Sequence, residues 1–183
     1  MKINFKTCTE EQLWKFVAPH LARHGIDTML VGGAVAAIYS NGLYRSGDLD
    51  FIHLNMMVKG LEEVMNKIGF KKIDVRRYMH PDCKHILIEF PGSAPVGIGE
   101  DYNIKPREVK IAGVKIKIYT PTDCVKDRLA GYIYFKHEEN LNQAALVAQY
   151  QGVSFARIKL WCKREGALWA YEAFLQKLKD SRL

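Results

Sequence analysis

The chain has 183 residues and 48% of them are hydrophobic, so it is long enough to bury one substantial core and disorder is excluded. Basic residues outnumber acidic ones by 27 to 20, and the net charge of +7 favours polyanionic partners such as nucleotides or RNA. No run of eighteen apolar residues and no apolar leader occurs, and the four cysteines lack paired spacing. We therefore expect a cytoplasmic protein with reduced thiols and no membrane partner.

The N-terminal half alternates between helical and strand-like patterns. Thr9 and Gln12 have the spacing of a capping box, and apolar residues follow at helical spacing until Gly25. Pro19 is expected to kink this first helix or to delay its start. After it, strands are predicted at 28–31, 48–54, 72–78 and 85–90, with helices at 34–40 and 58–68. Pro91 and Gly92 are expected to end the last of these strands.

The C-terminal half changes character at Thr120. A predicted loop over 92–105 leads to a hairpin over 108–119, which turns at Ala112 and Gly113. Thr120 and Pro121 then form a typical helix start, and helices are predicted at 122–137, 141–151, 154–164 and 167–179, with a break at 138–140. We therefore predict an α/β (α+β) protein with an α/β core over 1–120 and a C-terminal helical unit over 121–183 packed on it.

The segment 29–52 carries the strongest functional signal. A predicted strand runs into Gly32 and Gly33, and glycines at a strand-to-helix junction allow phosphate oxygens to approach the backbone. The next strand carries Asp48 and Asp50, whose spacing places both carboxylates on one face, where they can share a divalent cation. This pattern indicates phosphoryl-group chemistry with Mg²⁺ or Mn²⁺ as the cofactor.

A third acid is expected on a neighbouring strand. Glu89 is the candidate, because a charge within the apolar run 85–90 is costly unless it is paired or bound to metal. The alternative is an edge-strand glutamate that faces water. The carboxylates would hold the metal on the triphosphate of an NTP, and one would position or deprotonate an attacking hydroxyl. Arg45 and Lys126 are the cations that we place near the phosphates, with a plain surface charge as the alternative for each.

The glycine pair, the intervening helix and Asp-Leu-Asp in a hydrophobic strand resemble the signature of the DNA polymerase β-like nucleotidyltransferase superfamily. Among its members, the chain is most similar to small bacterial proteins of abortive-infection and toxin–antitoxin systems. The resemblance implies a mixed sheet flanked by helices and Mg²⁺-dependent transfer of a nucleoside monophosphate from an NTP. The acceptor would be a hydroxyl on RNA, protein or a small molecule, and an antitoxin is a candidate partner.

The resemblance also assigns roles to individual residues. It implies that Gly32 and Gly33 contact the triphosphate and that Asp48 and Asp50 bind Mg²⁺. Glu89 would replace the third acid of the family. The pair Lys126-Asp127 would correspond to a Lys-Asp pair that the C-terminal helices of such proteins often carry.

Two departures from the family pattern favour an alternative function. Fourteen residues separate Gly33 from Asp48, and Ala34 stands where many active members carry a polar or basic residue. Both departures are compatible with a catalytically inactive nucleotidyltransferase-fold protein that binds nucleotide, nucleic acid or a protein partner.

Two further patterns have competing interpretations. His80, Asp82, Cys83 and His85 offer ligands for zinc, but their spacing matches no standard knuckle, so a polar turn between strands is favoured. Lys115 and Lys117 lie on one face of the predicted hairpin, where they would either bind a nucleic-acid acceptor or protect an edge strand from aggregation.

Overall fold

The computed structural model describes residues 2–55 and 57–180. The helices are α1 (Glu10–Arg23), α2 (Gly33–Tyr39), α3 (Leu61–Lys67), α4 (Pro121–Phe135), α5 (Glu138–Tyr150), α6 (Phe155–Arg164) and α7 (Leu168–Asp180). The strands are β1 (Thr28–Val31), β2 (Asp48–His53), β3 (Lys71–Lys72), β4 (Arg77–His80), β5 (Cys83–Ser93), β6 (Arg107–Ile111) and β7 (Val114–Ile118).

The described strands form one mixed sheet in the order β3-β4-β5-β2-β1-β7-β6. Strand β1 runs antiparallel to β2 and parallel to β7, and β2 runs parallel to β5. All four residues of β1 are buried, as expected for a central strand covered on both faces. The mixed sheet with flanking helices confirms the predicted α+β class.

A continuous hydrophobic core joins the sheet to the helices that precede and follow it in sequence. Leu13 on α1, Leu30 on β1, Phe51 on β2, Leu129 on α4 and Phe174 on α7 are all fully buried members of this core. The C-terminal helices therefore share their apolar packing with the sheet. None of the described helices is long and apolar enough to cross a membrane.

Local signals for helix starts and turns are confirmed. Thr9 Oγ1 accepts a hydrogen bond from the Gln12 amide at 3.2 Å, and Gln12 Oε1 accepts one from the Thr9 amide at 3.0 Å. The hairpin of β6 and β7 turns at Ala112 and Gly113, as predicted. At the start of α4, Thr120 Oγ1 accepts from the Asp123 amide at 3.1 Å.

Several predicted boundaries are wrong for identifiable reasons. The predicted strand 72–78 is divided into β3 and β4, because Asp74 Oδ1 accepts hydrogen bonds from the amides of Arg76 and Arg77 and forms a turn. Strand β5 continues past Pro91 to Ser93. Its pairing with β2 shifts register after Asp50. This irregularity accommodates Pro91, which has no amide hydrogen to donate to the neighbouring strand.

Three helix predictions also need correction. Helix α1 is not delayed by Pro19, which lies buried inside it. Helix α3 begins only at Leu61, after Gly60 in a left-handed conformation. The break between α4 and α5 lies at 136–137 instead of 138–140, because Lys136 adopts positive φ and the acidic residues that follow suit the first turn of a helix.

Candidate active site

The centre of the sheet presents three carboxylates on one face. Asp50 on β2 pairs with Glu89 on β5, and Asp48 pairs with Leu87 two residues earlier on each strand. Directly paired residues of neighbouring strands point to the same side of a sheet, and so do residues at i and i+2. The structure therefore brings Asp48, Asp50 and Glu89 together on one face.

Asp50 lies in the most unfavourable electrostatic environment of the three acids. Burial, followed by repulsion from Asp48 and Glu89, raises its pKa from an ordinary 3.8 to about 7. Arg128 opposes this shift, and Asp127 adds to it. The cluster thus carries more negative charge than its surroundings compensate, so a bound cation would relieve it.

The donor set fits Mg²⁺ or Mn²⁺, because these hard ions prefer carboxylate oxygens. Among residues 2–55 and 57–180, Cys8, Cys83 and His85 form a group whose potential ligand atoms all lie within 4.8 Å of one another. The oxygen atoms of Asp48, Asp50 and Glu89 do not meet this distance, so the three carboxylates are more widely spaced.

The glycine turn lies directly against the carboxylates. Gly32 has φ of +74° between β1 and α2, and a Cβ there would clash with the Asp50 carboxylate. At Gly33 a Cβ would meet the Ser46 hydroxyl. Both glycines therefore allow the Asp50 and Ser46 side chains to pack directly against the turn, which a Cβ would prevent.

The loop before β2 is held by a buried acid of α1. Glu10 is only 2% exposed and its carboxylate accepts hydrogen bonds from the Ser46 amide and from Arg45 Nε, both at 3.0 Å. Ser46 Oγ in turn donates to Asp48 Oδ1 at 2.5 Å. Glu10 thereby positions the residues that precede Asp48.

Arg45 and Lys126 do not occupy the environments expected for free phosphate-binding cations. Arg45 is exposed and forms an ion pair with Glu10 at 2.9 Å. Lys126 is 1% exposed, with its ammonium 2.6 Å from Asp101 and 2.8 Å from Asp123. This geometry does not favour Lys126 as a phosphate ligand, because its ammonium is already paired with the buried Asp123 and the partly exposed Asp101.

Arg128, which sequence reasoning missed, is a cation close enough to the carboxylates to act on Asp50. Its Nη2 lies 2.5 Å from Asp127 and its Nη1 donates to Gln143 Oε1 at 3.1 Å, so the guanidinium is held in place. Its positive charge offsets part of the rise in pKa that burial causes at Asp50 and at Tyr44. The Lys-Asp pair lies in the turn of α4 that also carries Arg128. The rotation of this helix about its axis directs residues 127 and 128 towards the sheet, and it directs Lys126 away from the carboxylates.

Two of the four basic residues of the hairpin form ion pairs. Lys115 lies 2.8 Å from Glu108, and Lys117 lies 2.6 Å from Asp27. The hairpin is therefore a weaker polyanion-binding surface than its lysine count indicates.

Comparisons with known proteins give matches among solved structures. No protein-family profile matches the chain, and no curated protein matches it in sequence. An antigenic nucleotidyltransferase-like protein from Paracoccidioides brasiliensis superposes with a TM-score of 0.58 at 16% identity, covering 90% of this chain and 92% of the other.

An antibiotic-resistance factor, ANT(2'')-Ia, is similar in two structures. In solution it matches with a TM-score of 0.52 at 13% identity, covering 94% of this chain and 90% of the factor. Its complex with adenylyl-2''-tobramycin gives 0.53 at 13% identity, covering 92% and 97%. Similarity at such low identity is evidence for the fold, and we conclude that the chain has the fold of nucleotidyltransferase-like proteins.

Proposed function

We propose that the protein is a metal-dependent nucleotidyltransferase that moves a nucleoside monophosphate from an NTP to a hydroxyl group. The observation that carries this proposal is the grouping of Asp48, Asp50 and Glu89 on one sheet face, directly against the glycine turn at Gly32 and Gly33. The nucleotidyltransferase-like fold of the structural neighbours supports it.

In the proposed site, Asp48 and Asp50 hold Mg²⁺ together with Glu89. When bound, the ion neutralises charge on the triphosphate. The raised pKa of Asp50 supports this assignment, because a site that repels its own carboxylates gains most from a cation. Asp50 would bind the ion in its ionised form, so metal affinity would rise as the pH increases through about 7.

The remaining groups position the reactants. The phosphates would lie near the turn at Gly32 and Gly33, and Arg128 would supply positive charge for them. Glu89 takes the proton of the acceptor hydroxyl, whose oxygen then bonds to the α-phosphorus as the bond to pyrophosphate breaks. Most of the catalysis in such a site comes from positioning and charge compensation.

The experiment tests three chemical classes of acceptor: RNA, protein and small molecules. The complex of ANT(2'')-Ia with an adenylylated aminoglycoside supports including tobramycin among the small molecules. Each NTP, labelled at the α-phosphate, is incubated with the protein, Mg²⁺ or Mn²⁺ and an acceptor of each class. Transfer of label that is lost in Asp48→Asn supports the proposal, whereas label transfer that persists in that variant refutes the assigned site.

A toxin-like role with an antitoxin partner is the physiological part of the proposal, and the sequence resemblance supports it. Expression of the wild-type chain would then arrest bacterial growth, and expression of Asp48→Asn would not. Equal growth arrest by both proteins at matched expression would contradict a role based on nucleotidyl transfer.

A further inference from the structure

Two thiols and an imidazole that are distant in sequence meet at the end of the molecule where β5 begins. Cys8 precedes α1 and Cys83 opens β5, yet their sulfur atoms are 3.7 Å apart and both residues are buried. His85 Nδ1 lies 3.9 Å from the Cys83 sulfur. The three ligand atoms all lie within 4.8 Å of one another.

These separations match those of a tetrahedral zinc site. With Zn–S bonds of about 2.3 Å and a Zn–N bond of about 2.0 Å, tetrahedral geometry separates two sulfurs by about 3.8 Å and a sulfur from a nitrogen by about 3.5 Å. The observed sulfur–sulfur distance of 3.7 Å is close to the first value, and the sulfur–nitrogen distance of 3.9 Å is longer than the second by about 0.4 Å, which a small rotation of the His85 side chain would close. A disulfide needs about 2.0 Å between the sulfurs, so Cys8 and Cys83 would have to move much further to form one.

The orientation of His85 is the one that a metal-binding histidine requires. Its Nε2 lies 2.9 Å from the carbonyl oxygen of Cys8. A carbonyl oxygen can only accept, so Nε2 carries the hydrogen and the neutral ring leaves the lone pair of Nδ1 free towards the sulfurs. Outer hydrogen bonds of this kind fix the tautomer of histidine ligands in metal sites.

The neighbouring histidine is excluded from the cluster. His80 stacks on Phe5 with ring centres 3.6 Å apart, and its Nδ1 accepts a hydrogen bond from the Asp82 amide at 3.1 Å. The turn 80–85 thus contributes Cys83 and His85, and the third ligand comes from the N-terminal segment.

We propose that Cys8, Cys83 and His85 bind one Zn²⁺ ion, with the fourth position directed to the exposed side of His85. Two thiolates and a neutral imidazole balance the charge of Zn²⁺, which suits burial of the two sulfurs. A surface groove lined by Lys6, Asp82 and Lys84 reaches His85 and provides the entry path. This site is independent of the proposed nucleotidyl transfer.

The site lies between two segments that are connected to the carboxylate cluster. Cys8 is two residues before Glu10, which holds the loop that precedes Asp48. Cys83 begins the strand that carries Glu89. One ion would therefore join the two segments that position the carboxylates of the sheet.

The test uses the full chain, purified with reduced thiols and freed of metal with a chelator. Zn²⁺ is titrated against a chromophoric competitor, and Co²⁺ is added separately to detect the charge-transfer absorption of thiolate ligands. We expect one equivalent of Zn²⁺, a Co²⁺–thiolate band, and affinity at least about tenfold weaker in Cys8→Ser and in His85→Ala. Cys162→Ser is the matched control, because Cys162 is also a free, buried cysteine outside the cluster, and it should bind as the wild type does.

If Cys8→Ser does not fold, His85→Ala still tests the proposal, because His85 is exposed. The proposal is overturned if the wild type binds no Zn²⁺, if Zn²⁺ binding is unchanged in His85→Ala, or if Co²⁺ gives no thiolate band. Retention of the Co²⁺ band in Asp50→Asn supports it, since that variant alters only the carboxylate site. Loss of two titratable thiols on mild oxidation, without any metal binding, would identify the pair as a redox couple instead.

Discussion

Asp50 on β2 and Glu89 on β5 face each other across two parallel strands, and their mutual repulsion contributes to a pKa of about 7 for Asp50. Burial is the larger cause of this shift, and Asp48 contributes more than Glu89. Natural proteins tolerate such a cost mainly where the charge has a function. The protonation of Asp50 should therefore be visible in both stability and ligand binding.

The first prediction concerns stability and pH. Between about pH 4 and pH 7 the folded protein keeps a proton on Asp50 that the unfolded chain has lost, so the free energy of unfolding falls as pH rises through this range. A shift of about three units corresponds to roughly 4 kcal/mol. Without metal, Asp50→Asn should therefore be more stable than the wild type above pH 7, by up to that amount, with the difference vanishing below pH 4.

Chemical denaturation at a series of pH values measures this difference. Glu172→Gln, on the exposed surface of α7, is the control and should follow the wild type throughout. A wild type as stable as Asp50→Asn at pH 8 would show that the carboxylate is not strained by its surroundings.

The second prediction separates Lys126 from the site. Lys126→Met removes the cation between Asp101 and Asp123 and leaves the buried Asp123 with the longer contact to Arg157 at 3.4 Å, which should cost about 3 kcal/mol or more of folding stability. Nucleotide affinity of the folded fraction should not change. Lys115→Met, at an exposed lysine, should change stability by less than about 0.5 kcal/mol. A stable Lys126→Met protein that had lost nucleotide binding would restore Lys126 as a phosphate ligand.

The third prediction assigns the phosphate-facing charge to Arg128. Arg128→Gln should weaken binding of Mg²⁺-NTP at least about tenfold, because a charge-assisted contact is lost. It should also raise the pKa of Asp50 further, since Arg128 lowers it in the wild type. Calorimetry and the pH-stability profile measure the two effects. Arg157→Gln, which loses an arginine contact to Asp123, should alter neither, and a similar loss of affinity in both variants would indicate non-specific charge effects.

The fourth prediction concerns the glycine turn. In Gly32→Ala the new methyl group would strain a positive-φ position and displace the Asp50 carboxylate, so Mg²⁺-NTP binding should be lost. Gly42→Ala is a matched control, because Gly42 also has positive φ but a Cβ added there would meet no atom within 4 Å. Both variants should lose about 1 kcal/mol or more of stability. Equal nucleotide affinity in the two would contradict a role in Mg²⁺-NTP binding for the Asp50 carboxylate as it lies against Gly32.

Local patterns were sufficient for much of the fold and for part of the site. The run from β1 through the glycine turn to β2 is specified by residues adjacent in sequence, and strand periodicity was enough to place Asp48 and Asp50 on one face. Glu89 followed from the cost of a charge in an apolar strand. Each of these inferences depends on an interaction within one or two neighbouring elements.

The missed features depend on long-range geometry. The phase of α4 against the sheet decides whether Lys126 or Arg128 faces the carboxylates, and no local pattern contains that phase. The approach of Cys8 to Cys83 depends on how the N-terminal segment packs on β5. The division of the predicted strand 72–78 arose from a side-chain turn at Asp74, which competes with the strand ladder.

The most direct test is isothermal calorimetry of each of the four NTPs, with and without Mg²⁺, on the wild type and on Asp48→Asn/Asp50→Asn. We predict that at least one NTP binds the wild type with micromolar affinity only when Mg²⁺ is present, and that the double variant, folded by circular dichroism, binds none. Absence of binding of every NTP to the folded wild type, or equal binding by the double variant, would contradict a nucleotidyltransferase site at these carboxylates.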